Sequence, residues 1–400
     1  MLVGVGVALR VALMGSTPPF VGFPDAAWYM IAAGQGVFSL AAEADTSPWP
    51  AGYPEFLRIL RVFGDTLTFA IFVQHVLGVA TGLLLFATVR RVVSAWWALL
   101  PAAVVLLAGP QLFLEHAPMA EALFAFLLAV CVYCATRAYD SPRWYWAASA
   151  GLVVACAGCV RLQGLTLAPI LLIWLLVGIR LPARARLIAV AAATAAFALV
   201  IGAYLAEMKH ETGFGGPALT RSGSFGVPEI SDGPAGHVDR LAPDLARFWS
   251  SDANTDNGGL GYEGFITGLV TPQSTVQIEA AARWYPTLAR DSDDASLSVF
   301  DGYERHTRVE GLVFLLLLLL AVGGLVPARG RQLAVGLFVT AVAIVSLMTP
   351  LLFAQFDARY VVPAYGSLAA AGAIGAATLW ERFMPWMRRL RRPAQVPAVR

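Results

Sequence analysis

The stretch TLTFAIFVQHVLGVATGLLLFATV, residues 66–89, decides the fold class of this chain. It contains no Asp, Glu, Lys or Arg, and a helix of about 20 apolar residues is long enough to cross the hydrocarbon layer of a bilayer. Arg90 and Arg91 follow directly, as is usual on the cytoplasmic side of a span. The stretch therefore predicts a transmembrane helix.

Apolar runs of similar length recur along the whole chain. Of the 400 residues, 58% are hydrophobic and 14% are charged, against about 25% charged in ordinary soluble proteins. We therefore expect an all-α membrane protein of about ten transmembrane helices. The first run is short, because fifteen residues of helix reach about 22 Å against about 30 Å of hydrocarbon; either translation begins upstream of Met1 or the segment crosses incompletely. The other predicted spans are 1–15, 95–113, 121–138, 144–161, 164–180, 187–206, 309–326, 333–353 and 360–380.

Charged residues are distributed unevenly between the two sides of the predicted bundle. Arginine is concentrated in the turns after the second, fourth, sixth and eighth spans and in the C-terminal tail, whereas nearly all carboxylates lie in the alternate loops. By the positive-inside rule, the arginine-rich side is cytoplasmic and both termini lie inside. Lys209 is the single lysine. This arginine bias is typical of a GC-rich, bacterial genome, and no basic and aromatic cluster indicates a nucleic-acid partner.

Two outer segments are too long to be simple connections. Residues 16–65 form a first outer loop, in which short helices are expected at the membrane surface at 26–36 and 54–63. Residues 207–308, between the seventh and eighth spans, form an outer insert large enough for a small α/β or irregular subdomain. The insert separates an N-terminal and a C-terminal transmembrane module, and a basic cytoplasmic tail follows, at residues 1–206, 309–380 and 381–400.

The first outer loop carries a carboxylate just after the first span, in FPDAAWY, residues 23–29. Asp25 is well placed to cap a helix that begins at Ala26. It could also accept the proton of an incoming hydroxyl, and the two roles are compatible. Further along the loop, PWPAGYP at 48–54 is a rigid turn that leads into a helix, and this structural role accounts for it.

The second outer loop reads EHAPMAE, residues 115–121. Pro118 suits the first turn of the fourth span, and Glu121 then faces the positive end of the helix dipole. Glu115 and His116 lie on the same predicted side as Asp25, so the three could form a cluster that binds a hydroxyl or a divalent cation. Alternatively, His116 is a polar residue of the membrane interface.

Four basic residues stand where the topology does not predict them. Arg161, in CVRLQG, and Arg359, in FDARY, lie on the outer side. Each could snorkel to the interface, but a guanidinium there also suits a phosphodiester headgroup, whose oxygens it can bind in pairs. Arg10 lies within the first span, where a charge is costly and marks a functional candidate. Lys209, just outside the seventh span, is a weaker candidate for the same anion.

The four cysteines occur as two CxxC pairs, Cys131/Cys134 and Cys156/Cys159. On a soluble chain this spacing would suggest a zinc site. In the predicted topology the pairs differ in membrane depth by about 7 to 16 Å, too far for four bonds of about 2.3 Å to one ion. We therefore expect no metal there and no organic cofactor, while a divalent cation elsewhere stays open.

Several of these stretches, in this order, resemble signatures of the C-type (GT-C) glycosyltransferase superfamily, especially its family 39 relatives such as protein O-mannosyltransferases and the aminoarabinose transferases of lipid A. The resemblance runs the length of the chain. An arginine in the first span is followed by DAAWY and PAGYP in the first outer loop, then by APMAEALF, CVRLQGLTLAP and FDARYVVP. The matching ranges are 25–29, 50–54, 117–124, 159–169 and 356–363.

The resemblance implies a helical membrane fold in which the first outer loop packs over a cavity open to the outer leaflet. It implies that Asp25 is the catalytic base for the acceptor hydroxyl and that Arg359 and Arg161 hold the phosphate of a polyprenyl-phosphate-linked sugar. Protein O-mannosyltransferases carry an acidic residue after the matching aspartate, whereas Ala26 follows here, which weakens the case for a protein acceptor. The other residues expected to bind substrate are Tyr29, Tyr53, Tyr360, Arg10, Glu115, His116, Glu121 and Lys209.

We therefore expect an integral membrane glycosyltransferase of the plasma membrane with an extracytoplasmic active site. It would move a sugar, mannose or a pentose, from the carrier to a cell-envelope glycan, lipid or protein by an inverting displacement. A transporter or flippase for lipid-linked sugars would share the spans and the outer insert, but it would not need a carboxylate in the first loop. A scaffolding subunit of an envelope assembly would need neither Asp25 nor Arg359.

Overall fold

We describe the protein from a computed structural model, which describes residues 1–21, 24–38, 50–64, 66–141, 143–212, 282, 294–309, 311–353 and 358–390. Within these ranges every regular element is a helix, so the expected all-α class is confirmed. Most of the predicted outer insert, at 213–281 and 283–293, lies outside the described residues. Its interpretation as a subdomain therefore stays a prediction.

The α-helices of the described ranges are numbered here in chain order. Three short 3-10 helices interrupt them, at Leu162–Thr166, Ala358–Tyr360 and Val362–Ala364. The α-helices are α1 (Leu2–Ser16), α2 (Pro24–Gln35), α3 (Gly52–Phe63), α4 (Leu67–Arg90), α5 (Ala95–Leu107), α6 (Gly109–Glu115), α7 (Ala120–Asp140), α8 (Trp144–Val160), α9 (Leu167–Val177), α10 (Ala183–Thr212), α11 (Asp294–His306), α12 (Gly311–Leu325), α13 (Gly330–Phe353) and α14 (Tyr365–Leu390).

The chain is a multi-pass membrane protein. Among the described residues, six helices are long and apolar enough to cross a membrane, or seven if the bent pair α5 and α6 counts as one span. Shorter apolar helices at Leu2–Ser16, Trp144–Val160 and Leu162–Val177 fall on three further predicted runs. All ten runs are thus largely helical, while the number of complete crossings stays a prediction.

Helices approach one another closely where glycine faces a neighbouring backbone. A Cβ atom at Gly375 of α14 would lie 1.9 Å from the carbonyl oxygen of Leu320 on α12, and one at Gly151 of α8 would lie 2.2 Å from that of Ala193 on α10. Small residues allow such contacts in membranes, where packing and hydrogen bonds, not the expulsion of water, hold helices together. Small residues such as glycine and alanine therefore allow these helices to pack closely.

The predicted third span bends by 53° between α5 and α6. A break of this kind leaves carbonyl groups without helical partners, and in lipid each of them needs another donor. Arg10 donates from Nη1 to the oxygen of Leu106, at 3.0 Å, and from Nη2 to that of Val105, at 3.4 Å. The hydroxyl of Tyr303 donates to Leu107, at 2.5 Å. The end of α5 is therefore capped by side chains from α1 and α11.

The return helix of the insert, α11, packs against the other side of this bend. The backbone N–H of Gly109 donates to Oγ1 of Thr307 at 2.9 Å. A Cβ at Gly109 would lie 2.4 Å from Cα of Glu304, so only glycine lets α11 approach this closely. Arg308 donates to both carboxylate oxygens of the buried Glu304. The insert is thus connected to the membrane bundle at a defined point.

The first outer loop forms the two short helices expected of it, α2 and α3. In α3, Tyr53 and Leu57 are fully buried, whereas Val62 and Phe63 are strongly exposed. This amphipathic pattern suits a helix at the membrane surface. A Cβ at Gly52 would lie 2.5 Å from the carbonyl oxygen of Cys159, so glycine brings α3 onto the end of α8. The loop thereby lies over the helix ends that carry the candidate site.

Candidate functional site

An ion pair joins the first outer loop to the C-terminal module. Asp25 lies in the first turn of α2, which begins at Pro24, so it is part of the helix and not the N-cap that its sequence predicted. Nη1 of Arg359, in the 3-10 helix before α14, donates to Oδ2 of Asp25 at 2.5 Å. Both residues are buried. Two residues that stand far apart in the sequence thus meet at one point.

A second, partly buried ion pair lies beside the first. Glu121 lies in the first turn of α7, as predicted, and Nη1 of Arg161 donates to its Oε1 at 2.5 Å. Arg161 caps the end of α8. The other oxygen of Glu121, Oε2, is buried and has no hydrogen-bond partner among the described residues. Glu121 therefore has one carboxylate oxygen that can accept a further hydrogen bond.

The aromatic ring of Tyr360 connects the two ion pairs. Its centroid lies 4.9 Å from Cζ of Arg161 and 4.8 Å from Cζ of Arg359, within the range of a cation–π contact. Nη2 of Arg359 also donates to the Tyr360 hydroxyl at 3.1 Å. Tyr360 therefore holds both guanidinium groups close to one another, although like charges repel.

Tyr29 lies among these charges, and Tyr53 extends the cluster toward the bundle. Burial and the nearby Asp25 carboxylate raise the pKa of the Tyr29 phenol above its ordinary value of 10.0, so the phenol stays protonated. The rings of Tyr29 and Tyr53 pack edge to face at 4.8 Å. The Tyr53 hydroxyl donates to Oε1 of Gln74 at 2.5 Å. Gln74, a fully buried residue of α4, was missed by the sequence analysis although it interrupts an apolar run.

Glu115, His116 and Arg10 form a separate cluster, so the prediction that the first two join Asp25 is wrong. Glu115 accepts from Nε and Nη2 of Arg10, each at 2.8 Å, and its Oε2 lies 3.0 Å from Nδ1 of His75. Nε2 of His75 lies 3.1 Å from Nδ1 of His116. The physical reason is that a guanidinium buried between helices needs a carboxylate within reach. His75 was not singled out from the sequence.

The two clusters differ in what they can do. Arg10 is fully committed to Glu115 and to the end of α5, so the expectation that it binds substrate is not met by its contacts. Lys209 is exposed in the last turn of α10. The other cluster, by contrast, offers two cations, two carboxylates and an aromatic face in one place, groups that can position and neutralise an anion. Its members are Asp25, Arg359, Tyr360, Arg161 and Glu121.

Known membrane glycosyltransferases are similar to this chain in sequence or in fold. Residues 56–205, less than half of the chain, match the family described as dolichyl-phosphate-mannose-protein mannosyltransferase. The oligosaccharyltransferase of Archaeoglobus fulgidus in its apo form is similar over 98% of this chain and 52% of its own, with a TM-score of 0.54 and 12% sequence identity. The chain thus spans about half the length of that protein. The two proteins share a fold.

Two further solved structures resemble this chain. AglB of the same archaeon, in complex with an inhibitory peptide and a dolichol-phosphate, has a TM-score of 0.51 and 13% identity over 98% of this chain and 52% of its own. ArnT from Cupriavidus metallidurans bound to undecaprenyl phosphate covers 98% of this chain and 80% of its own at 13% identity, with a TM-score of 0.42. No curated protein sequence matches the chain.

Metal ligands are not grouped in the described part of this chain. Across residues 1–21, 24–38, 50–64, 66–141, 143–212, 282, 294–309, 311–353 and 358–390, no three His, Cys, Asp or Glu side chains are arranged to hold an ion. All four cysteines are free thiols. Binding of a divalent cation elsewhere in the protein therefore stays open.

Proposed function

We propose that this chain is a membrane glycosyltransferase that takes its sugar from a polyprenyl-phosphate carrier, with Asp25 as catalytic base. The observation that carries the proposal is the convergence of Asp25, Arg359, Arg161 and Glu121 around one tyrosine ring. Isolated ion pairs would be sufficient if these residues only stabilised the fold. Two adjacent arginines beside a carboxylate suit a phosphate ester that must react with a hydroxyl.

The two arginines supply the phosphate site. Arg161 and Arg359 lie on the same ring, so an anion placed between them could accept from both guanidinium groups, each of which matches phosphate oxygens in a forked geometry. AglB, which shares the fold, holds a dolichol-phosphate in its own structure. A lipid-linked phosphate also explains the apolar bundle, since the prenyl chain would lie along the spans.

The net charge of the site does not change during the proposed reaction. At rest, the two arginines are matched by Asp25 and Glu121. When the acceptor hydroxyl attacks the anomeric carbon, Asp25 takes its proton and loses its charge. The phosphate gains a charge in the same step, as the bond to the sugar breaks. Arg359 can then release the neutral Asp25 and bind the phosphate. This contact stabilises the leaving group without a separate acid.

The stereochemistry, the sugar, the acceptor and the location of the site are further parts of the same proposal. The acceptor attacks from the side of Asp25, opposite the phosphate, which gives inversion at the anomeric carbon. The sugar is mannose or a pentose, and the acceptor is a cell-envelope glycan, lipid or protein. The Glu121 Oε2 atom is free to accept from a sugar hydroxyl. The site would face the extracytoplasmic side of a bacterial plasma membrane, where carrier-linked sugars meet their acceptors.

The first test is the variant Asp25→Asn, which keeps the shape of the side chain but cannot take a proton. Purified protein is given a panel of radiolabelled polyprenyl-phosphate sugars, and loss of label from the carrier is measured. We expect transfer to fall about 10²- to 10⁴-fold, the usual contribution of a general base.

The matched control is Glu55→Gln, on the same outer loop. Glu55 pairs with Arg58 in an exposed i,i+3 contact, and exposed pairs contribute about 1 kcal/mol or less, so transfer should be unchanged. Full activity of Asp25→Asn would refute the base assignment. If the wild-type protein moves the carrier across the bilayer and leaves its sugar attached, the chain is a flippase and not a transferase.

A further inference from the structure

A chain of buried polar contacts runs from α1 to the start of the first outer loop. Its members are Arg10, Glu115, His75 and His116, each at most 3% exposed. Arg10 contacts Glu115, Glu115 contacts His75, and His75 contacts His116, over distances of 2.8, 3.0 and 3.1 Å. These groups take no part in the proposed transfer chemistry. Their hydrogen atoms can nevertheless be counted from the contacts that they make with other described residues.

The far end of the chain fixes one proton on His116. Its Nε2 lies 3.1 Å from the carbonyl oxygen of Pro18 and 3.2 Å from that of Thr17. Oγ1 of Thr17 is also 3.2 Å away, but that hydroxyl donates to the carbonyl of Leu13 at 2.8 Å. Nε2 thus faces only acceptors and must carry a hydrogen.

The near end of the chain is also an acceptor. Both oxygens of Glu115 accept from Arg10, and Oε1 accepts in addition from Nε2 of Gln111 at 3.0 Å. A bidentate contact of this kind requires the ionised carboxylate. A Cβ at Gly78 would lie 1.9 Å from Oε1 of Glu115, so glycine leaves room for the carboxylate in this position. Oε2 can only accept, so its 3.0 Å contact with Nδ1 of His75 needs a hydrogen on that nitrogen.

The three contacts of the two imidazole rings need one more hydrogen than two neutral rings can supply. The contacts of His116 with the loop carbonyls, of His116 with His75, and of His75 with Glu115 each need one hydrogen, three in total. Two neutral imidazoles carry one N–H each. The complete chain therefore contains an imidazolium, and without that proton two lone pairs face each other at one of the three contacts. The carboxylate of Glu115 lies between this imidazolium and Arg10, so two cations share one anion and the cluster carries a net positive charge.

We infer that His75 and His116 are positioning residues, and that the chain of contacts behind the entrance to the first outer loop is complete only while one of the two rings is an imidazolium. The loop side of this contact is well defined. The N–H of Phe20 donates to the carbonyl of His116 at 3.0 Å, and the Phe20 ring packs against the imidazole at 4.8 Å. The segment Thr17–Phe20 leads directly into α2, which carries Asp25. We call these contacts of His116 with Thr17, Pro18 and Phe20 the loop anchor.

The direction of the pH dependence follows from the count. At low pH the shared proton is present and the loop anchor is complete. As pH rises the proton is lost and a repulsive contact replaces one of the three hydrogen bonds, which weakens the support behind the loop anchor. The other ionisable groups that face the chain do not supply the proton. The hydroxyl of Tyr303 donates to Leu107, and the pair of Glu304 and Arg308 is closed against Gly109.

Hydrogen–deuterium exchange tests the loop anchor without relying on transferase activity. Peptides from Thr17 to Gln35 are followed from about pH 5 to pH 9 in nanodiscs, after correction for the intrinsic chemical rate. We expect their exchange to rise about ten- to a hundredfold across one transition, the effect of losing a hydrogen bond to a charged group. With His210, His237 and His306 replaced by Gln, ¹⁵N-histidine spectra should lose one imidazolium signal over the same pH range.

Three variants give a diagnostic pattern. His116→Gln keeps an N–H donor for the carbonyls of Thr17 and Pro18 but removes the ring contact that demands the third proton, so protection should persist to high pH. His116→Leu removes the donor, so exchange should be fast at every pH. His306→Gln, at an exposed histidine whose ring contacts the carbonyl of Gly302, should behave as the wild type.

The activity measurement rests on the proposed function and is read separately. If transfer occurs, its rate should fall at high pH in the wild type and stay level in His116→Gln. The inference is overturned if His116→Gln loses protection over the same pH range as the wild type, or if both rings are neutral throughout. Absence of transfer with an intact exchange transition would reject the proposed function and leave the loop anchor standing.

Discussion

Tyr360 is the residue on which the geometry of the candidate site depends most directly. Its ring lies about equally far from both guanidinium groups, and its hydroxyl accepts from Arg359. Because residues 359 and 360 are consecutive, one turn of 3-10 helix places both the cation and the ring that supports it. The position of Arg161 is thereby tied to a segment of the C-terminal module.

We therefore expect Tyr360→Phe to raise the KM for the lipid-linked donor about tenfold, because the hydroxyl that orients Arg359 is lost while the ring remains. Tyr360→Leu should raise it further, since both cation–π contacts also disappear. The effect on kcat should be smaller than the effect on KM. Donor titrations with purified protein measure both.

A matched control exists at the other end of α8. Arg143 donates to the hydroxyl of Tyr145 at 2.8 Å and lies over its ring at 5.9 Å, in an exposed position. Tyr145→Phe should leave donor KM unchanged. Equal effects of the two phenylalanine variants would mean that Tyr360 does not organise the phosphate site.

The sequence indicated some site residues and not others for a physical reason. Arg161 and Arg359 stood out because a positive charge on the outer side runs against the topology rule, and Asp25 because it follows a span. Gln74 and His75 lie in the middle of an apolar run, and nothing local shows whether a polar side chain there faces lipid or a partner. Their partners come from other helices.

At the scale of helices, the largest difference from the sequence prediction is the third span. Residues 95–113 read as one apolar run, yet the helix breaks between α5 and α6. Gly109 and Pro110 were local signs of a break. Its stability depends on Arg10 and Tyr303, which are contributed by helices remote in the chain. A break whose carbonyls are satisfied by distant donors cannot be deduced from local pattern.

The contact between α3 and α8 provides a test at this scale. A Cβ at Gly52 would meet three backbone atoms of Cys159 and Val160 at 2.5 to 2.8 Å, and backbone cannot move aside as a side chain can. Gly52→Ala should therefore displace α3 and with it Tyr53. We expect a loss of about 1–3 kcal/mol in stability, the usual range for overpacking, together with reduced transfer.

Gly202→Ala in α10 is the corresponding control, because nothing lies within 4 Å of a Cβ at that position. It should raise thermal stability slightly, since alanine is favoured over glycine within a helix. Unfolding midpoints of both variants in the same detergent give the comparison. An unchanged midpoint for Gly52→Ala would show that α3 is free to shift.

At the scale of the whole molecule, one buried ion pair connects the first helix to the rest of the bundle. Arg10 and Glu115 are 105 positions apart in the chain, and both are essentially inaccessible. Composition and hydrophobic periodicity were sufficient to predict the helical membrane class. They could not predict this pairing, because it depends on which helix faces of the assembled bundle meet.

A double-mutant cycle should reveal the coupling. Arg10→Met should destabilise the protein by about 3–5 kcal/mol, because it leaves a carboxylate buried without its guanidinium. The double variant Arg10→Met, Glu115→Gln should cost much less than the sum of the two single changes. Arg91→Met, at a half-exposed pair with Asp140, should cost about 1 kcal/mol or less. Strict additivity of the two buried changes would contradict a coupled pair.

The neutral resting state of the candidate site affects how a substrate would find it. Two cations matched by two anions a few ångströms away produce fields that largely cancel at a distance. Such a pocket does not draw in phosphate groups from the surrounding headgroup layer, so abundant anionic lipids would not crowd its entrance. A rare carrier would be captured on collision, after diffusing sideways within its leaflet, and selected by direct fit.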